Sequence, residues 1–597
     1  HQLMRLGVYP STAIAYGFRY GNLFDYGSIY PRVLGEVQRE LDGRPESDWV
    51  SYYQRTGIRF VICLEPSDDP RMRLVRTVPS FASHPYLVYE VADPLPRAIL
   101  VPSARRVSDP ARRRKIWVSA EFDPRAEVLL EGAGAVPSGG GPIAQRVEVE
   151  EGKDPCRVIV RVDAERDAWL LLIDSWSPGW KATVDGDPVE IERADLLFRA
   201  VRIPAGKHEV LFRYDPWTFR VGLGVTLGTA VLCGLLLLVP LLLRRPMALP
   251  TAAIEAWTER YRWPLGLGVA VAWFHLALLS PATCLFKADH YYTYRPYCWV
   301  ISEIWRHGEI PLWNPHPFFG QPLLATLMLV VYPTSLFYSV LPFETAYDLH
   351  FLVHAFVAAF SMYALGRRLG WAPWIAFVSA ATWSLGGYMV SVEQYYNVVV
   401  AAAWAPAVIW AIDRVIERRT ARGIALAALV ASLQFLGGEV MTIGFTFLVG
   451  LAVWTRHVPA GGRPAWLRRA LAAGAACVAL AVLLVAFQVL PTAELVRRSP
   501  RAAGLPESER QGFSMTWATA AEMAFPRYLG DPANDAYYQG LSLWGTTRWG
   551  LPPYYLTRYV GVAMLLLAVF GGLATRGGRP KVLVLLLLFG FVEMFGA

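Results

Sequence analysis

The stretch YDPWTFRVGLGVTLGTAVLCGLLLLVPLLLRR (214–245) divides the chain into two parts of different composition. Its apolar run over 221–243 contains no charged residue and is long enough to cross a bilayer as a helix, which takes about 17–25 residues. Residues 1–218 have the mixed composition of a water-soluble domain, whereas nearly all other long apolar runs lie beyond Val221. The sequence therefore predicts a soluble domain over 1–218 and a membrane helix over 219–245.

Beyond this helix the sequence predicts a linker over 246–262 and a transmembrane bundle over 263–597. The apolar runs that support the bundle are 264–280, 347–366, 374–390, 399–416, 424–454, 467–490, 558–575 and the run that begins at Val582. The run 424–454 is long enough for two crossings. Because Pro333 interrupts 323–342, we interpret that stretch as re-entrant or interfacial, which leaves ten crossings.

Short groups of arginine residues between the apolar runs predict the orientation of the chain in the membrane. Basic residues collect in cytoplasmic loops, and the turns 391–397 and 437–439 contain no Lys or Arg. This pattern makes the linker 246–262 cytoplasmic and places the soluble domain and the loops 281–346 and 491–557 on the outer face. The formal net charge of +8 is spread over these groups rather than gathered in one patch, so a nucleic-acid partner is not expected.

The two ends of the sequence are unusual for an exported protein. The chain begins at His1 without an apolar signal segment, and Ala597 lies within an apolar run. A soluble domain on the outer face requires an export signal. We therefore expect a fragment open at both ends, a tandem fusion or a rearranged gene product.

The soluble domain has the pattern of a β-rich fold. Short runs rich in β-branched and aliphatic residues are separated by Pro, Gly and Asp, at 57–63, 87–92, 98–101, 157–162 and 168–174. Residues 179–216 indicate successive strands, with tight-turn signals at Asp185-Gly186 and at Pro204-Ala205-Gly206. The sequence predicts a β-sandwich over 115–216.

The first outer loop holds the densest set of ionisable residues. Asp289 follows its membrane helix by a few residues, so it is expected at the outer interface, where a carboxylate could accept a proton from a sugar hydroxyl. Lys287 and Arg295 could neutralise a phosphate leaving group, and His290 and Tyr291 are further candidate binding residues. An interfacial belt of aromatic and basic residues explains the same composition equally well.

Candidates outside this loop have plain structural alternatives. Glu393, in EQYYN (393–397), and Glu439, beside two glycines, are predicted to contact substrate, although a solvated turn explains both. In the aromatic-rich loop 491–557, Arg527 suits a phosphate. His350 and His354 have the spacing of metal ligands, but core packing or hydrogen bonding between helices is favoured for this pair.

Four segments resemble the bacterial YfhO membrane protein family: IPLWNPHPFFGQPLLA (310–325), PLPRAILV (94–101), GWKATVDG (179–186) and AGKHEVLFRYDP (205–216). The resemblance implies a GT-C-like membrane glycosyltransferase that takes sugars from polyprenyl-phosphate donors on the outer face and glycosylates envelope polymers such as teichoic acids. It implies Asp289 as the catalytic carboxylate and makes Trp313 and Asn314 candidate substrate contacts. No cofactor is expected, although a divalent cation is possible.

The order of the parts departs from the family pattern, in which the bundle precedes the soluble domain and a final helix. Here the soluble domain and its helix come first. Two other functions remain open: a transporter or flippase for a lipid-linked substrate, and a non-catalytic envelope protein that binds glycan. A transporter would place charges near the bilayer midplane, whereas most candidates here lie at the outer ends of helices.

Overall fold

A computed structural model describes residues 31–63, 65–79, 85–134, 141–150, 152–242, 253–279, 290–326, 328–458 and 463–504. These residues divide into two compact units. The β unit comprises the described residues up to Arg220 together with Tyr291–Thr326 and Pro491–Ala503. The helical unit comprises the described parts of Val221–His290 and Leu327–Leu490. The β unit thus includes parts of the sequence that were assigned to the two outer loops.

The β unit contains helices and mainly antiparallel sheets, with one parallel pair formed by β5 and β6. Its first three described helices are α1 (Arg32–Leu41), α2 (Glu46–Arg55) and α3 (Pro110–Val118), and Asp109 caps α3 by accepting hydrogen bonds from two backbone N–H groups. The strands in chain order are β1 (Phe60–Cys63), β2 (Met72–Val78), β3 (Tyr86–Val91), β4 (Ala98–Val101), β5 (Ser103–Val107), β6 (Glu127–Glu131), β7 (Val147–Glu150), β8 (Arg157–Ala164), β9 (Ala168–Leu172), β10 (Trp180–Val184), β11 (Asp187–Val189), β12 (Glu192–Ala194), β13 (Phe198–Ile203), β14 (Gly206–Tyr214), β15 (Trp313–Asn314) and β16 (Gln321–Pro322).

Two of the sheets form a β-sandwich, as the sequence predicted. One has the strand order β11-β10-β14-β8-β7 and the other β4-β9-β13-β12-β6-β5. In β8, Val158, Val160 and Val162 alternate with less buried residues, so one face of the strand packs into a core that the two sheets share. The sandwich begins at Ala98, ahead of the predicted start at 115, because β4 and β5 belong to the six-stranded sheet.

Both predicted turns are present. Asp185 and Gly186 have φ values of 52° and 95°, the conformation of a two-residue hairpin turn, and they connect β10 to β11. The turn at Pro204-Ala205-Gly206 connects β13 to β14, but β13 pairs with β9 and β14 pairs with β8. This second turn therefore carries the chain from one sheet of the sandwich to the other and does not make a hairpin.

The segment 310–325 is built into the β unit. Its two short strands β15 and β16 pair with each other, and Phe319 accepts a hydrogen bond at its carbonyl from the backbone N–H of Ser175 at 2.7 Å. Trp313 lies in the core of the sandwich, with ring centroids 5.0 Å from Trp180 and 4.7 Å from Tyr214. A segment distant in sequence thus completes the core between the sheets.

The helical unit consists of long apolar helices. In chain order the further α-helices within the described residues are α4 (Trp217–Leu242), α5 (Ala253–Phe274), α6 (Arg295–Arg306, in the β unit), α7 (Phe343–Arg368), α8 (Pro373–Leu385), α9 (Gly387–Val392), α10 (Val398–Arg418), α11 (Ala421–Leu436), α12 (Val440–Trp454), α13 (Arg463–Leu484) and α14 (Ala486–Arg498). In the predicted re-entrant stretch 323–342, the structure has a 3₁₀ helix at Pro333–Ser339.

Five helical stretches within the described residues are long and apolar enough to cross a membrane. They are Trp217–Leu238, Phe343–Arg368, Pro373–Val392, Val398–Arg418 and Ala465–Leu484. The shorter apolar helices α11 and α12 lie where the sequence predicted two crossings in 424–454. The chain therefore combines a β-rich domain with a multi-pass helical membrane part, which is the predicted fold class.

Candidate functional site

Buried histidine and tyrosine side chains cluster around the turn 393–397 (EQYYN) of the helical unit. Helix α7 contributes Tyr347, His350 and His354 at positions i, i+3 and i+7, which lie on one helical face. Tyr396 from the turn packs against this face, and its ring stacks on that of His350 with centroids 3.8 Å apart. We call these residues, with the side chains that they bind, the turn cluster.

His290, near the start of the predicted loop 281–346, joins the turn cluster. Its Nδ1 lies 2.7 Å from the hydroxyl of Tyr347, and its ring meets Phe351 edge to face. Tyr347 in turn stacks on Tyr396, with centroids 5.4 Å apart. The hydrogen bond and the stacking fix His290, the residue next to Asp289 in sequence, against the 393–397 turn.

The two histidines of α7 have their proton positions set by carbonyl groups. Nδ1 of His354 lies 2.6 Å from the carbonyl oxygen of His350, and Nε2 of His350 lies 3.0 Å from that of Tyr396. A carbonyl oxygen can only accept, so both ring nitrogens carry hydrogen. The other nitrogens meet the hydroxyls of Tyr332 and Thr334 at 2.8 Å and 2.7 Å. The predicted hydrogen-bonding role of the pair is confirmed.

Glu393 pairs with a histidine that the sequence analysis did not single out. Nε2 of His275 lies 2.8 Å from Oε1 of Glu393, and Nδ1 of His275 donates to the carbonyl of Val271 at 3.0 Å. The His275 side chain is 3% exposed and that of Glu393 is 12% exposed. Because Tyr396 belongs to the same short turn as Glu393, this pair and the His290 contact share one structural element.

Several predicted site residues lie outside the described residues. These are Lys287, Asp289 and Arg527, and of Tyr291 only the backbone is described. Of the predicted residues in the helical unit, His290 contacts Tyr347 in the turn cluster, and Glu393 lies in the 393–397 turn that carries Tyr396. The catalytic assignment of Asp289 stays a prediction.

Glu439 has a local role at the start of α12. Its carboxylate oxygens accept hydrogen bonds from the backbone N–H groups of Met441 at 3.2 Å and Thr442 at 2.6 Å. These N–H groups have no partner within the helix, so the carboxylate satisfies them and also interacts favourably with the helix dipole. Glu439 therefore stabilises a helix terminus, and its contact with substrate stays a prediction.

Three further predicted residues belong to the β unit. Arg295 begins α6 and is half-buried, whereas Trp313 and Asn314 form β15 and are buried. The Asn314 side-chain oxygen accepts from the backbone N–H of His316 at 3.1 Å. Burial raises the pKa of Cys156, which packs beside Trp313, to about 12 and keeps this thiol protonated. The surroundings of Trp313 are thus those of a packing residue.

The part of the chain that the structure describes contains no ready-made metal-binding site. No group of three or more His, Cys, Asp or Glu side chains there could hold a metal ion. The ring nitrogens of His275, His350 and His354 already meet hydroxyl, carbonyl or carboxylate oxygens. The described cluster therefore offers hydrogen-bond donors and acceptors rather than a set of metal ligands.

A comparison with protein families supports the predicted resemblance. Residues 145–226 match the family described as bacterial membrane protein YfhO. This range covers strands β7–β14 of the sandwich and the first turns of α4. Within this range the match agrees with the predicted resemblance to that family. The chain matches no curated protein and no solved structure.

Proposed function

We propose that this protein is a membrane glycosyltransferase that transfers a sugar from a polyprenyl-phosphate donor to an envelope polymer or glycolipid on the outer face of the bacterial cytoplasmic membrane. The family match over 145–226 suggests a membrane glycosyltransferase-like protein, and the long apolar helices suggest a lipid bilayer environment. The observation that carries the proposal is the hydrogen bond between His290 and Tyr347. It ties the neighbour of Asp289 to a cluster of buried side chains around the turn that carries Glu393.

The proposed reaction is a displacement at the anomeric carbon of the sugar. The oxygen of the acceptor hydroxyl forms the new bond, and Asp289 takes the hydroxyl proton. The bond from the anomeric carbon to the phosphate oxygen breaks, and its electron pair leaves with the polyprenyl phosphate. Lys287, Arg295 and Arg527 are the residues predicted to neutralise that phosphate. His290 and Tyr347 orient the segment that carries the base.

The decisive experiment measures sugar transfer in membranes that contain the full chain. Polyprenyl-phosphate donors with radiolabelled glucose or N-acetylglucosamine are supplied, and the label is followed into water-soluble and polymer fractions. We expect transfer by the wild-type chain and none above background by Asp289→Asn. The control is Glu309→Gln, which removes an exposed charge from the same loop and should leave transfer unchanged.

The outcomes separate the proposal from its rivals. Transfer retained in Asp289→Asn would remove that residue from the mechanism. Movement of the intact donor across the membrane without release of sugar would instead support a flippase. Binding of glycan with neither transfer nor movement would support a non-catalytic envelope protein.

A further inference from the structure

The hydrogen bonds of His275 determine how many protons lie between its ring and the carboxylate of Glu393. Nδ1 of His275 donates to a carbonyl oxygen, so Nε2 either accepts a proton from Glu393 or carries a second proton itself. A neutral Nε2 facing an ionised carboxylate would place two acceptors 2.8 Å apart. One proton therefore lies between the two side chains, whether the pair is imidazolium with carboxylate or imidazole with carboxylic acid.

This proton count fixes what the second oxygen of Glu393 can do. In both states the shared proton lies between Nε2 and Oε1, so Oε2 carries no hydrogen and can only accept a hydrogen bond. No further hydrogen bond to the Glu393 carboxylate occurs among the described residues. A ligand that meets Oε2 must then present a donor, and an anionic phosphate, which presents only acceptors, is disfavoured there.

We propose that Glu393, held by His275, accepts a hydrogen bond from a hydroxyl group of the transferred sugar. This inference rests on the proposed function and assigns the hydroxyl-binding part of its site. Glu393 is partly exposed on a turn whose next aromatic residues, Tyr395 and Tyr396, are buried. His275 is buried, so it acts through Glu393 and is a positioning residue.

Because Oε2 of Glu393 can only accept a hydrogen bond, it is well suited to bind a sugar hydroxyl. A site built to hydrogen-bond a hydroxyl strongly rejects an analogue that lacks it, because a buried acceptor is then left without a partner. The histidine fixes the direction of the carboxylate before the sugar arrives, which lowers the entropy lost on binding. The pair therefore selects for a hydroxyl at one position of the sugar ring.

The test compares substitutions at the two positions in the full chain. We expect Glu393→Ala and His275→Ala to raise KM for the polyprenyl-phosphate sugar roughly 10- to 100-fold, the effect of losing a hydrogen bond to a charged group, with a smaller change in kcat. Glu393→Gln is the conservative variant, because its amide can donate to neutral His275 and still present an oxygen acceptor. Its KM should stay within about threefold of wild type. Glu309→Gln and His307→Ala, both exposed, serve as controls.

Donor analogues that lack single hydroxyls provide a second measurement. We expect one deoxy analogue to raise KM for wild type and to make no difference for Glu393→Ala, which identifies the hydroxyl that Glu393 accepts. This comparison remains a test of the assignment when the alanine variants fold poorly. In that case, wild type and Glu393→Gln are both expected to discriminate against that analogue.

Failure of the proposed function and failure of the hydroxyl-binding assignment give different results. If wild type transfers no sugar, the proposed function fails. If wild type transfers sugar and Glu393→Ala matches it in KM and in response to every deoxy donor, the hydroxyl-binding assignment fails alone. A large loss of kcat in Glu393→Gln would also overturn it, because the reaction would then need the carboxylate itself.

Discussion

Trp313 packs against Trp180 with ring centroids 5.0 Å apart and ring planes at 83°. Trp180 begins β10, within the residues that match the family, and Trp313 comes from a segment that lies beyond the first membrane helix in sequence. Edge-to-face pairs of this kind add to the stability gained from burial alone. Two of the segments that resemble the family, 179–186 and 310–325, thus meet in one hydrophobic core.

Replacing Trp313 by alanine should destabilise the β unit. The side chain is 2% exposed, and truncating a buried tryptophan costs about 3–5 kcal/mol because it leaves a cavity. We expect hydrogen exchange in β10 and β14 to become faster in the full chain. Trp374→Ala, which removes a side chain that is 57% exposed, is the control and should leave exchange in these strands unchanged. Unchanged exchange in Trp313→Ala would show that the segment is dispensable to the sandwich.

Asp195 should make the stability of the β unit depend on pH. Burial raises its pKa to about 7, although the backbone N–H of Leu129 donates to its carboxylate. A carboxyl group whose pKa is higher in the folded state favours folding at low pH, and this contribution is lost as the pH rises from about 4 to about 7. This rise in the pKa of Asp195 corresponds to a change in the free energy of unfolding of at most roughly 4 kcal/mol.

The substitution Asp195→Asn tests this dependence. Asparagine keeps the oxygen that accepts from Leu129 and tolerates the positive φ of 44° at this position, but it never ionises. We expect a higher thermal unfolding temperature than wild type at pH 8 and little difference at pH 4. An equal increase at both pH values would show that the effect comes from packing rather than from the charge.

The sequence predicts most strands correctly because their signals are local. The runs 98–101, 157–162 and 168–174 become β4, β8 and β9 with small shifts at their ends. Alternation of buried and exposed residues, together with turn residues such as Asp185-Gly186, is enough to define them. The apolar helices are predictable for the same reason, since the composition of each one determines whether it can lie in lipid.

The site is less predictable because its contacts join distant parts of the chain. His275 is a single histidine in an apolar run, and no local pattern reveals that Glu393 lies against it. The same holds for Tyr347 and Tyr396, which look like ordinary aromatic residues of a helix and a turn. Glu439 differs, since its role as a cap depends on residues two and three positions later.

Tyr347→Phe should weaken transfer without unfolding the protein. The substitution keeps the stacking on Tyr396 and removes only the hydroxyl that meets His290. Losing this buried hydrogen bond frees the residue next to Asp289, and we expect transfer to fall about tenfold, the equivalent of roughly 1.4 kcal/mol. Tyr363→Phe, on the same helix, is the matched control and should transfer at the wild-type rate. Equal rates in both variants would contradict a positioning role for Tyr347.

Asp413 should be essential for the stability of the helical unit. Its carboxylate is fully buried in α10 and accepts from Arg368 at 2.7 Å, Arg456 at 2.7 Å and His457 at 2.8 Å. These partners come from the end of α7 and from the segment after α12, so one side chain links three parts of the unit. Removing one member of a buried ion pair costs about 3–5 kcal/mol, because the remaining charges lose their partner.

Asp413→Ala is therefore expected to lower the thermal unfolding temperature of the full chain in detergent markedly. Glu417→Gln is the matched control: Glu417 also binds Arg368, but its side chain is 45% exposed, and exposed ion pairs contribute about 0–1 kcal/mol. Transfer measured per folded molecule should stay the same in both variants, since Asp413 has no contact with the turn cluster among the described residues. If Asp413→Ala unfolds at the wild-type temperature but transfers no sugar, Asp413 acts in the reaction and not in holding the helices together.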